Sequence, residues 1–269
     1  MLTQTPAPLQ PAPILQDRLP HLPWLDPRTR RLPGINPVEG QDWLRVDEAY
    51  APQMALRDRL IASHTPAVHA LTPDAAPAAA ELYATILRWL ATAPGFTLTA
   101  STATRPDGVA VPLDADQPLL TLGRLVQEDL CLLQPTGDEY TLTGAILCFP
   151  ASWTLAQKIG RPMTAIHDPV PLYDADLAAR VNRMFTAIRP DQPLWRMNFL
   201  TYDDFTLHQP RREGEKRPQP TDHVYIRCER QCLLRLPATG AVVFTIHTYV
   251  VDAGSVTPED LAALRAAVH

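Results

Sequence analysis

The chain has 269 residues, of which 46% are hydrophobic and 20% charged, with a net charge of −5. That balance excludes the strongly basic surface of a nucleic-acid binder, and no run of about 18 apolar residues offers a membrane span. The length allows one large domain or two small ones.

The N-terminus lacks the basic-then-apolar pattern of a secretory signal. Cys131, Cys148, Cys228 and Cys232 form no CxxC pair and lie in apolar or strand-like runs. Cysteine acts there as a small hydrophobe. A reduced, cytoplasmic setting is expected. A four-cysteine zinc or iron–sulfur site stays open, without the usual spacing.

Nine of the 29 prolines fall between Pro6 and Pro37. Proline fixes φ and removes a donor, so residues 1–40 are expected to form an extended arm. Trp24, Leu25, Leu32 and Ile35 would pin its second half to the body, and the first dozen residues read as a disordered tail. Residues 41–269 are expected to form a single domain.

Apolar spacing predicts a helix over about 46–63, capped by Asp47, with Pro52 near its start and Leu56, Leu60 and Ile61 in its stripe. A second helix is predicted over 76–93, with Leu82, Ile86, Leu87 and Leu90 on one side, and a shorter third over 119–128. The pattern then changes. Two β-rich runs, 129–134 and 140–149, flank the cluster Pro135-Thr136-Gly137-Asp138 and read as a hairpin. A helical turn follows at about 155–159. Ile166-His167-Asp168-Pro169-Val170-Pro171 carries two prolines and is expected to be stiff and extended.

Residues 174–188 form an amphipathic pattern, with Leu177, Val181, Met184, Phe185 and Ile188 as the buried stripe. Strands are predicted over 194–202, 223–236 and 241–251, the last two joined by a turn at 237–240. Arg211, Arg212, Lys216 and Arg217 make a basic run that Glu213 and Glu215 interrupt, which reads as a solvated loop. Thr257 caps a final helix to about 268, with Asp260 completing an imperfect capping box. Helices, a hairpin, a helix and three strands in that order predict an α+β domain with an antiparallel sheet.

Side chains alternate across a strand. Tyr225, Arg227, Glu229, Gln231 and Arg235 therefore share one face of the long strand, opposite Val224, Ile226, Cys228, Arg230 and Cys232. Arg196, Asn198 and Tyr202 share a face of the 194–202 strand, and Thr245, His247 and Tyr249 share a face of the 241–251 strand. These groups are expected to join in one polar face. An ordinary solvated face would look similar. Two details favour a pocket: lysine is absent from all three strands, and the residues present form directed hydrogen bonds.

No HExxH pair, GxSxG elbow or glycine-rich phosphate loop occurs, so hydrolase and nucleotide-binding readings have no motif behind them. Among eight histidines, His167 stands out because prolines stiffen the backbone after it. A neutral imidazole held in that way suits a haem iron ligand. His247 on the polar face is its rival, and the residues alone do not choose between them.

Several ordered motifs carry a resemblance. They are Cys148-Phe149-Pro150, Trp153, Lys158-Ile159-Gly160-Arg161-Pro162, Ile166-His167-Asp168-Pro169-Val170-Pro171, Trp195-Arg196-Met197-Asn198, Arg227-Cys228-Glu229-Arg230-Gln231, Leu234-Arg235-Leu236-Pro237, and Phe244-Thr245-Ile246-His247-Thr248-Tyr249. Over roughly residues 30–251 the chain resembles the haem-dependent oxidative N-demethylase family, haem-binding alpha subunit.

The resemblance implies a PAS-like antiparallel sheet flanked by helices around haem b. It implies O2-dependent removal of a methyl group from a small secondary amine such as dimethylamine, giving a primary amine and formaldehyde. Electrons would come from NADPH through a separate flavin and iron–sulfur reductase. His167 maps to the expected iron ligand. The cofactor would also involve Arg196, Arg227, Gln231, Arg235 and His247, with Arg227 and Arg235 suited to the propionates. Glu229 would face the alkylammonium, and Asn198 and Tyr249 would orient oxygen or water. His247 stands where the family pattern usually has arginine, and Phe199 where tryptophan is common. Two other readings stay open: a PAS-like haem or small-ligand sensor without turnover, and a non-haem structural partner in an oxygenase complex.

Overall fold

A computed structural model describes residues 9–30, 34–167 and 175–267; for residues 167 and 175–178 it describes the backbone alone. The elements in chain order are β1 (Asn36–Pro37), α1 (Tyr50–Val68), β2 (His69–Leu71), α2 (Ala76–Leu90), β3 (Thr97–Leu98), β4 (Thr102–Thr104), β5 (Ala110–Pro112), α3 (Pro118–Gly123), β6 (Asp129–Thr136), β7 (Glu139–Ile146), α4 (Leu155–Lys158), α5 (Met163–His167), α6 (Ala175–Ala187), β8 (Leu194–Tyr202), β9 (Tyr225–Arg235), β10 (Val242–Asp252) and α7 (Pro258–Ala267). Among the described residues, a seven-stranded antiparallel sheet has the order β1-β8-β9-β10-β6-β7-β2. A small sheet, β3-β4-β5, stands apart. The α+β class and the antiparallel sheet are as expected from the element order.

The sheet separates two cores. On one side, which we call the helix face, Leu56 and Leu60 of α1 and Leu82 and Ile86 of α2 pack with Leu130, Leu132, Ile226, Cys228 and Cys232. On the other, the site face, Phe185 and Ile188 at the end of α6 and Leu155 of α4 pack with Cys131, Leu133, Leu233, Val242 and Ile246. Apolar side chains alternate along the strands because both faces are covered.

Several elements depart from expectation. Helix α1 starts at Tyr50 and runs on to Val68, through a kink at His64 and past Pro66. Asp47 is not its N-cap: Ala49 is, without a capping side chain. The third helix ends at Gly123, and residues 124–128 instead lead into β6 with Gln127 and Glu128 buried. Ile166 and His167 end a short helix rather than an extended segment. Residues 168–171 of that expected segment lie outside the described residues. The β3–β5 sheet has no sequence signal, because two- and three-residue strands show no readable alternation. Thr257 does cap α7: its Oγ1 accepts from Asp260 N at 3.2 Å.

Residues 1–8 of the expected tail, and Leu32 of the expected anchors, lie outside the described residues, but from residue 9 on the arm packs more closely than a tail would. Gln10 is buried, donating to Phe205 O and accepting from Leu207 N. Trp24 is buried, its indole donating to Asp260 O at 3.0 Å, whereas Leu25 is exposed. Gln16 closes a gap in the sheet. β10 pairs with β6 only as far as Ile246, so its last six residues lack a strand on that side. Gln16 N donates to Val250 O, its Oε1 accepts from Val250 N, and its Nε2 donates to Thr248 O.

Candidate functional site

Register decides which polar residues meet. Asn198 lies opposite Glu229, and Arg196 opposite Gln231. Directly paired residues share a face, so these four rise together with Arg227 on the site face. Glu229 is 8% exposed. Its carboxylate accepts from Asn198 Nδ2 at 3.0 Å, Gln231 Nε2 at 3.2 Å and Arg227 Nη2 at 3.3 Å. Asn198 Oδ1 in turn accepts from Glu229 N at 3.0 Å, which fixes the amide's orientation.

Arg227 is held from behind. Nη2 donates to Phe149 O at 2.6 Å and Nη1 to Leu207 O at 3.0 Å. The Phe149 and Cys148 N–H groups donate to Asp129 at 2.8 and 2.6 Å. Asp129 pairs with Arg57 of α1 at 2.7 Å, both side chains fully buried. A buried ion pair between α1 and the start of β6 thus sets the backbone on which the site-face arginine rests.

A cavity of about 100 Å³ lies beside Glu229, walled by Trp153, Leu200 and Tyr202 among others. The Tyr202 hydroxyl is buried without a partner among the described residues, and burial raises its pKa. The Arg217 guanidinium sits 3.9 Å from the centre of its ring. Before Trp153, Ser152 adopts φ 65°, a left-handed conformation uncommon for a residue with a Cβ. Its N–H donates to Gln209 O at 3.0 Å, which holds the turn against the 205–209 segment. Trp153 and Tyr202 stood in the motifs and the alternation; the Ser152 turn had no sequence signal.

His247 and Tyr249 do not belong to this face. β10 pairs His247 with Arg230 and Tyr249 with Cys228, so both lie on the helix face. Both ring nitrogens of His247 are engaged, Nδ1 with Glu128 Oε1 at 2.8 Å and Nε2 with Asp47 Oδ2 at 3.0 Å. Burial opposes the imidazolium, but Tyr249 and the Glu128 and Asp47 carboxylates outweigh it and hold its pKa well above the ordinary value. Such a ring has no lone pair for a metal. Tyr249 OH accepts from Arg45 Nη1 at 3.1 Å.

Arg235 is on the site face but committed. Its guanidinium donates to Ile188 O, Phe185 O, Gly240 O and Tyr140 OH, closing the C-terminal end of α6. Arg196 differs. Its Nε is buried, and no hydrogen bond or ion pair engages its side chain among the described residues. Burial pulls its pKa below the ordinary value, partly offset by Glu229.

His167 is the last residue of α5, whose Met163 and Ile166 pack into the site-face core. Lys158 Nζ donates to Ile166 O and to Glu213 Oε1, each at 2.6 Å, which fixes the backbone one residue before His167.

A family model described as haem-dependent oxidative N-demethylase, alpha subunit-like, matches residues 34–268. The chain belongs to this family. The match takes in α5, β8 and β9 and so includes every site-face residue above. Membership in the oxidative N-demethylase family carries an oxidoreductase class and haem dependence, and its alpha-subunit designation implies further subunits. The residues present fit such a group. α5 packs on the same face, and Arg196 offers a cation whose Nε is buried without a partner among the described residues. No helix among the described residues is long and apolar enough to cross a membrane.

Proposed function

We propose that the chain is the haem-binding subunit of an oxidative N-demethylase acting on a small secondary amine of the dimethylamine type, with formaldehyde and a primary amine as products. The observation that carries this reading is Glu229: a buried carboxylate held by three donors beside a cavity sized for a small amine rather than a porphyrin. A buried alkylammonium needs an opposite charge, and Glu229 supplies it. Asn198 and Gln231 keep that carboxylate aimed, while Trp153 and Tyr202 wall the amine from water.

In this reading the sheet and its helices form a PAS-like domain over 41–269, preceded by the proline-rich arm. His167 ligates the iron of haem b from α5, and Lys158 holds that helix end in place. Bound haem supplies the activation of O2. Electrons come from NADPH through a separate flavin and iron–sulfur reductase, and the setting is cytoplasmic. Arg235, His247 and Tyr249 take no part, because their polar groups are engaged elsewhere.

Purified protein reconstituted with haem is expected to show a Soret band, and to release formaldehyde from dimethylamine under O2 with a chemical or enzymatic reductant. His167→Ala is expected to lose the wild-type spectrum. Wild-type protein without a Soret band overturns the reading. A normal Soret band with no formaldehyde from any methylated amine leaves ligand sensing in its place.

A further inference from the structure

The three arginines of the site face are not equivalent. Arg227 makes hydrogen bonds to two carbonyls and Glu229. Arg235 makes four, to carbonyls and a tyrosine hydroxyl. Arg196 makes none among the described residues, although its Nε is buried. The residue is half-buried: its Nε is shut off from solvent without a partner, while the terminal nitrogens stay open and unpaired among the described residues, and a cation placed so has donors left for a ligand to complete. Arg196 stands one pleat from Asn198 on β8 and opposite Gln231 on β9. Glu229, on the same face of β9, is already engaged with Asn198, Gln231 and Arg227.

We infer that Arg196 is a carboxylate-binding subsite, placed on the same face as the Glu229 cation subsite and completed by the ligand. The planar guanidinium suits a carboxylate through two parallel hydrogen bonds. Two sources carry that group into such a site: a porphyrin propionate, or the carboxylate of an N-methylated amino acid whose ammonium meets Glu229. This inference rests on the function proposed above, since haem and amine both come from it.

The test titrates apo-protein with haem and with haem dimethyl ester, followed by the Soret band. It then titrates the haem-loaded protein with dimethylamine and with N,N-dimethylglycine, followed by the spectral shift. Wild type, Arg196→Gln and Arg196→Lys are compared, with circular dichroism to confirm folding; the lysine variant keeps the charge where the glutamine variant proves unstable. Charged hydrogen bonds of this type predict a loss of about tenfold or more in Arg196→Gln, with partial rescue by lysine. A loss for haem but not for its ester assigns the carboxylate to the porphyrin. A loss for dimethylglycine but not for dimethylamine assigns it to the substrate. Variants that match wild type for all four ligands overturn the subsite. Wild-type protein that binds neither haem nor its ester overturns the proposed function instead.

Discussion

The two faces of the sheet handle buried charge in opposite ways. On the helix face, His247 sits between Glu128 and Asp47 and Arg230 reaches Asp42 at 3.1 Å, and at the start of β6 Asp129 meets Arg57 of α1. Each charge meets its opposite within the chain. On the site face, Glu229 is oriented chiefly by amides, with a longer contact to Arg227, and Arg196 meets nothing among the described residues. Charge closed within the fold serves stability, and charge left open serves a ligand. The two faces therefore predict different consequences for similar substitutions.

The largest effect is expected at the Arg57–Asp129 ion pair. Asp129→Ala leaves Arg57 buried without its counter-charge, at a cost of about 3–5 kcal/mol, measurable by urea unfolding. Next comes Glu229→Gln. It removes the charge offered to an amine and should weaken dimethylamine binding at least about tenfold, and its NH2 replaces one acceptor oxygen among three donors, at a stability cost of about 1–3 kcal/mol. Equal amine affinity in wild type and Glu229→Gln would break the comparison.

The third prediction concerns pH. The folded pKa of His247 is raised, so its contribution is fully present below the unfolded value of about 6.5 and fades as pH rises through the higher folded value. Asp47 is held at about 2, so its share is present above its unfolded value and is lost as pH falls toward 2. Unfolding free energy should therefore decline on the alkaline side in wild type, and His247→Asn should flatten that decline. A wild-type stability curve with no alkaline decline attributable to His247 would refute the assignment. The smallest effect belongs to Tyr249→Phe, which loses one hydrogen bond to Arg45, about 0.5–1.5 kcal/mol. It should leave amine binding untouched, which sharpens the assignment of Tyr249 to the helix face.

Much of this was legible in the residues. The strands β8, β9 and β10 and the alternation along each one could be read, and Arg196, Asn198, Arg227, Glu229 and Gln231 were correctly grouped. His247 and Tyr249 were misassigned because alternation within a strand does not say which set of a neighbour shares its face. Pairing register decides that. Arg235 lies opposite Val242, so odd-numbered residues of β9 face even-numbered residues of β10. A four-residue turn at 237–240 implies the same parity. Other features had no local signal. Which arginine stays unpaired depends on carbonyls at Phe149, Leu207, Ile188 and Gly240, brought in from far along the chain. The commitment of Asp47 to His247 rather than to a helix cap likewise spans 200 positions.

Gln16 has a consequence of its own. A strand segment with unpaired backbone groups invites another chain to add on, and proteins guard such edges. Here one glutamine, on an otherwise proline-rich stretch, imitates a neighbouring strand for just Thr248 and Val250. The prolines beside it, Pro11, Pro13 and Pro20, cannot donate to a ladder and so stop that imitation from spreading. The arm thus works as a terminator for lateral sheet growth. Loss of Gln16 would open the N–H and C=O of Val250 to a foreign strand, while Gln53 Nε2 would still cover Thr248 O at 3.1 Å.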